Sequence, residues 1–238
     1  MQNYHLLPAL TGKTLIKKIS VILFLVAGIL CSCKQNNKPV DRQPKPGAKL
    51  ANDSAVKIYL NVIGLKYPKD SLESAVKLYK TALAEDPESK LVFYNFLNCY
   101  NYMNNYNASI ALCSAWLKKN PEDVDVQYQR SMIYELQGKS ELAKSGFKAV
   151  VDEIGKKQIP KIDTSLTPVQ IDELLVDASL LYIAEKDNSK SLSLVNQLKA
   201  SFPDNTRIEG VYNTIIKNNR LERIKEHLNY KGSGVALR

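Results

Sequence analysis

Histidine, cysteine and long apolar runs are all scarce in this chain of 238 residues, and each shortage removes a class of function. There are two histidines. His5 falls among the first 33 residues, which leaves His227 as the only imidazole in the body of the chain, on a charged C-terminal segment where no catalytic triad or metal cluster can be assembled around it. Ser74 with Lys77 and Ser145 with Lys148 have the Ser-x-x-Lys spacing of some hydrolases, but the supporting motifs are missing and both pairs fall on helical surfaces. Gly12-Lys13-Thr14 lacks the upstream glycine and the preceding strand of a phosphate-binding loop. No enzyme, metal, cofactor or small-molecule substrate is expected. Of the four cysteines, Cys99 and Cys113 could pair in an oxidising compartment, but they fall on interior helical positions, where a free thiol behaves as a small hydrophobe.

The longest apolar run, Ile19 to Leu30, has 12 residues, against the roughly 20 needed to cross a bilayer as a helix. Lys13, Lys17 and Lys18 precede it, the layout of an export signal. It ends in Leu30-Cys31-Ser32-Cys33, which resembles the bacterial lipoprotein box, with a branched apolar residue three before Cys33 and a small one immediately before. The resemblance implies a signal peptide over 1–32, with Cys33 as the acylated N-terminus of the mature protein. Residues 33–50 carry Pro39, Pro44, Pro46 and Gly47 with little apolar content and are expected to form a disordered tether. Lys34, not Asp, follows the anchor, which by resemblance directs it to the outer membrane of a Gram-negative envelope, facing the periplasm.

The formal net charge of +9 is concentrated in these first 50 residues. The signal holds three lysines and no acid, and residues 34–50 hold five basic residues against Asp41, so the remainder is close to neutral. Nucleic acid as a partner loses its electrostatic motive.

Beyond residue 50 the chain repeats. Ala75, Tyr79, Ala82 and Pro87 are followed, 34 residues later in each case, by Ser109, Cys113, Trp116 and Pro121. Tyr134, Gly138, Ala143, Phe147 and Val150 continue the register to Gly155, and Tyr182, Ser191, Val195, Leu198 and Pro203 restore it after a loop over 156–166. A fixed period of this length signals stacked helical hairpins. The pattern resembles the tetratricopeptide repeat family. That resemblance implies an all-α, right-handed α-α superhelix over 51–229: four hairpins at about 55–88, 89–122, 123–155 and 170–205, then C-terminal capping helices over 206–229 and a frayed tail over 230–238. Two helix starts are also predicted, an Asp70/Glu73 capping box and Thr167-Pro168-Val169-Gln170.

In the second unit Tyr94, Asn98, Asn101 and Tyr102 fall at i, i+4, i+7 and i+8, on one helical face. The third unit presents Tyr128, Met132, Glu135 and Leu136, and the fourth Val176, Leu180 and Ile183. In tetratricopeptide arrays this face lines the concave groove, so the resemblance implies a membrane-anchored adaptor that binds a protein or peptide segment there. Aromatic rings and amides suit such a partner. Two other readings stay open: the same tyrosines packing only against neighbouring repeats or terminal helices, and an immunity protein that neutralises one toxin through a rigid surface. A carboxylate clamp is not expected, since Gly64 and Met132 stand where its other polar groups would be.

Overall fold

The computed structural model describes residues 42–217 and 219–228. Within them the chain forms ten α-helices: α1 (Pro46–Ile63), α2 (Leu72–Glu85), α3 (Lys90–Tyr102), α4 (Tyr106–Lys119), α5 (Val124–Leu136), α6 (Ser140–Lys156), α7 (Pro168–Ala184), α8 (Ser189–Ser201), α9 (Thr206–Ile216) and α10 (Arg220–Leu228). Successive helices pack in pairs, and each pair leans on the next, an arrangement consistent with a helical repeat array. The expected signal peptide over 1–32, Cys33 and the tail after 228 lie outside the described residues.

The sequence period sets where helices begin. The second helices α2, α4 and α6 start at Leu72, Tyr106 and Ser140, and the first helices α3 and α5 at Lys90 and Val124, in each case 34 residues apart. Burial follows the same register. Small residues Ala75, Ser109, Ala143 and Ser191 sit where paired helices approach closely, and Tyr79, Cys113, Phe147 and Val195 fill the next layer, all buried. Gly146 takes the approach furthest: a Cβ there would overlap the Gln127 carbonyl and the Ser131 hydroxyl of α5. Gly138, at φ +72°, makes the left-handed turn between those helices that a side chain would resist.

Helix starts are marked by short polar side chains that accept backbone N–H groups: Ser89 from Val92, Asn105 from Ala108, Asp123 from Val126 and Asn205 from Ile208. Thr167 and Gln170 make the reciprocal capping box read from the sequence, with Pro168 in the first turn. The Asp70/Glu73 box does not form. A short 3-10 turn, Lys69–Ser71, leads into α2 instead, and Ser71 caps nothing with its side chain.

The tether reading also needs correcting at its C-terminal end. Pro46 opens α1, and Ala48 is fully buried, so 46–50 belongs to the folded body. Arg42 is pinned as well: its guanidinium donates to both carboxylate oxygens of Asp86, at 3.0 and 2.6 Å, and the Lys45 N–H adds a third bond. Burial pushes the fully covered Asp86 carboxyl upward, but Arg42 and the Lys45 amide outweigh it and hold the group below its ordinary range. Proline content argued for extension, and the buried acid that anchors the segment stands more than 40 residues away.

Cys99 and Cys113 are buried and unpaired, and burial pushes both thiols up to about 12. They pack as apolar side chains.

Candidate binding trough on the first helices

The four candidates from α3 divide. Tyr94, Asn98 and Tyr102 are half-buried and lie along one face. Tyr102 sets its ring edge-on to Tyr59 of α1, with centroids 5.7 Å apart, so the aromatic surface runs across two first helices. Lys90 stands 5.8 Å from the Tyr94 ring centroid. Burial raises the Tyr94 hydroxyl pKa, and the carboxylates of Asp125 and Asp123 raise it further, so the group stays a protonated donor. Asn101 does not belong to this face. It is fully buried between α3 and α4, where its Oδ1 accepts from the Ser109 hydroxyl at 2.7 Å. At i+7 it drifts just far enough round the helix to meet α4 and not the open side.

The candidates from α5 are covered. Tyr128 and Met132 are essentially inaccessible, and Glu135 is engaged, because α10 lies across them. In place of pairing with α9 as a last hairpin, α10 packs on α5, α7 and α3, which are all first helices. The expected capping role falls to α9 alone, which packs on α8 and α7 and buries Ile208 and Ile215.

The seat of α10 is specific. Arg220 donates from one terminal nitrogen to Glu135 at 2.7 Å and from Nε to the Ile183 carbonyl at 2.6 Å, and its guanidinium stands 5.2 Å from the Phe147 ring centroid. Ile183 is in the last turn of α7, where backbone carbonyls lack helical partners and favour a cation. Both partners of the ion pair are largely hidden from solvent, at 14% and 9% side-chain exposure, so removing either one strands a charge. Ile224 and Leu228 are buried one and two turns further on. Between them His227 sets its ring edge-on to Tyr128 at 6.0 Å and approaches the Gln129 amide at 3.5 Å. Burial, with a further contribution from Arg223, pulls the His227 pKa down from 6.5 to about 4, so the ring is neutral at pH 7.

One feature of this seat is imperfect. Among the described residues, the hydroxyls of Tyr128 and Tyr182 are buried with no hydrogen-bond partner. Leaving such a group unmet costs about 1–3 kcal/mol. The charges of Arg220 and Arg223 on α10 act on both hydroxyls, lowering their pKa values against the larger upward push of burial.

The sequence pattern named α10 as an amphipathic helix but not its resting place. Arg220, Ile224, His227 and Leu228 share a face at i, i+4, i+7 and i+8, and that spacing was the available signal. Elsewhere, a cavity of about 400 Å³ opens beneath the 156–166 loop, lined by Ile154, Ile159, Leu181 and Leu194, with Lys157 paired to Asp177 at its edge. Ser74 and Ser145 are exposed on second helices. Among the described residues no group of three or more His, Cys, Asp and Glu side chains converges, and no helix is long and apolar enough to cross a membrane.

Set against known proteins, the chain matches no family model, no curated protein and no solved structure.

Proposed function

We propose that this chain is a tetratricopeptide-type, right-handed superhelical scaffold that binds a protein segment along its first helices. The observation that carries the reading is the chemistry of that face. One part, around Tyr59, Tyr94, Asn98 and Tyr102, is aromatic, amide-bearing and half-open, and the adjoining part on α5 and α7 holds a helix, the chain's own α10. A surface that accepts one helical segment has the shape and chemistry to accept another. The 34-residue spacing of helix starts supports the family reading. The Lys-rich, apolar N-terminal segment ending at Cys33 supports a lipid anchor in the outer membrane, and residues between the anchor and Arg42 give the body reach from it. Anchoring raises the effective concentration of partners near the membrane, so modest contacts suffice. An adaptor in envelope assembly or maintenance is the role that follows.

The test places a photo-crosslinking amino acid at Asn98, in the open part, and in a second strain at Ser145, on the opposite side of the array. Partners crosslinked at Asn98 and absent at Ser145 support the adaptor. Equal labelling from both positions, or none from Asn98, removes the groove from the account. For the anchor, intact-mass measurement of the mature N-terminus should find a diacylated or triacylated Cys33, and Cys33→Ala should move the protein from the membrane to the soluble fraction. A chain that stays membrane-bound after that substitution overturns the anchor.

A further inference from the structure

The helix α10 has the features of an exchangeable occupant. It has nine residues, too few to hold a helix in water without a surface to lie on. Its outer face, with Leu221, Glu222, Lys225 and Glu226, is exposed, and only Lys217 to Asn219 join it to α9. It also leaves the trough incompletely satisfied, since the hydroxyls of Tyr128, whose ring meets His227, and of Tyr182 on α7 have no partner among the described residues. A helix that offered those hydroxyls a carboxylate or amide would hold the seat better than α10 does.

We propose that the trough formed by α3, α5 and α7 is a receptor for an amphipathic helix of a partner protein, and that α10 is the internal competitor this helix displaces. The proposal rests on the reading of the first helices as a partner-binding face. The seat specifies the incoming helix. A guanidinium meets Glu135 and the Ile183 carbonyl, apolar side chains follow at +4 and +8 to fill the places of Ile224 and Leu228, and a hydrogen-bonding side chain lies over Tyr128 and Tyr182. Because α10 is tethered by a short link, it competes at high effective concentration, and the site answers only to a helix that fits better or to conditions that loosen α10.

The experiment uses the full chain in two forms, wild type and Ile224→Asp/Leu228→Asp, and a fluorescein-labelled synthetic peptide of residues 217–229 as the probe, read by anisotropy. The opened form should bind the peptide at least tenfold more tightly than the wild type. A peptide with Glu in place of Arg220 should lose at least tenfold, and Glu135→Arg in the opened chain should recover part of that loss. An opened chain that keeps its helical circular dichroism yet binds no better than the wild type overturns the proposal.

If the double substitution unfolds the chain, a reversible lock decides. Gln129→Cys with His227→Cys should trap α10 when oxidised and abolish binding of a tighter peptide carrying Glu in place of Arg223, with recovery on reduction; equal binding in both states overturns the proposal. Concentration-dependent dimers of the wild type that vanish in the opened form would assign the trough to a second copy's α10 and overturn the partner helix. The two readings fail separately. Peptide binding lost while Asn98 crosslinks persist removes this inference alone, whereas peptide binding without such crosslinks removes the adaptor and leaves the trough.

Discussion

The first helices present one face with two fates. On α1 and α3 it is half-open, lined by Tyr59, Tyr94, Asn98 and Tyr102, and on α5 and α7 it lies under α10. The adjoining helices α3 and α5 start 34 residues apart, and what separates the two parts is charge placed at one point. Glu135 and the end of α7 converge on a single guanidinium. In the open half, the residue 34 places before Glu135 is Asn101, turned inward to Ser109, and the half-buried Asn98 offers an amide with no fixed charge. A charged, partly desolvated anchor fixes one occupant, while neutral amides and ring faces leave the choice of partner open.

Removing the rigid frame under the covered half is the largest expected effect. Gly146→Val drives a side chain into the Gln127 carbonyl and the Ser131 hydroxyl, neither of which can yield without moving α5 away from α6. A loss of about 3 kcal/mol in denaturant unfolding is expected, an overpacking cost toward the upper end of the usual range. The same substitution at Gly155, where an added Cβ meets nothing within 4 Å, should be nearly silent. Equal losses at both sites would show that the close approach of α5 and α6 is not what Gly146 provides.

The next largest effect separates the two halves directly. Glu135→Ala leaves Arg220 buried without its carboxylate, at a cost of about 3 kcal/mol. That cost falls on the seating of α10 and not on the array, because α10 is a nine-residue C-terminal helix whose outer face is exposed. Hydrogen exchange should therefore accelerate at the amides of α10 by about a hundredfold, with the amides of α2 to α4 unchanged. Uniform acceleration throughout the protein would mean that α10 is integral to the folded unit and that the two halves cannot be treated apart.

Much of this contrast was legible in the residues and some was not. The 34-residue period placed the helix starts at Leu72, Tyr106 and Ser140 and the buried layers from Ala75 to Val150, because close packing of paired helices admits only small or apolar residues at fixed stations. Of the two readings left open for Tyr128, the structure shows packing against a terminal helix, which also covers Met132 and engages Glu135; which helix would do so was not readable. A helix such as α10 shows its own apolar stripe and not the address of its complement, and Arg220 and Glu135 are 85 residues apart. Asn101 failed for a different reason: i+7 lies near the edge of a helical face, and a buried Ser109 across the hairpin claims it. Residues 46–50 were misread because Pro and Gly suggested extension where Pro46 in fact opens a helix.

Acid should loosen the covered half and spare the open one. His227 is held neutral, its pKa lowered from 6.5 to about 4 by burial and by Arg223, with Tyr128 and Gln129 of α5 against the ring. A proton thus binds the released helix more readily than the docked one. Docking is at full strength above pH 6.5, weakens as pH falls through the window from 6.5 to 4, and levels off below it. Two and a half pKa units set a ceiling of roughly 3 kcal/mol, which partial exposure of the ring reduces to about 1–2. The measurement is α10 hydrogen exchange from pH 7 to pH 4.5, corrected for intrinsic rates. In His227→Gln the dependence should flatten, and an unchanged slope would assign it to another group.

The smallest effect belongs to the open half. Tyr102→Ala removes the edge-to-face contact with Tyr59, worth about 1 kcal/mol beyond the area lost, from a surface that solvent already reaches. Thermal melting should fall by only a few degrees. Crosslinking to partners from Asn98, one turn away, should fall much further, because a ring on a binding surface contributes to recognition in proportion to the area it offers and to stability only through the neighbours it keeps. If melting drops by as much as in Glu135→Ala while crosslinking holds, the ring is a packing element. The open half would then be as closed in function as the half beneath α10.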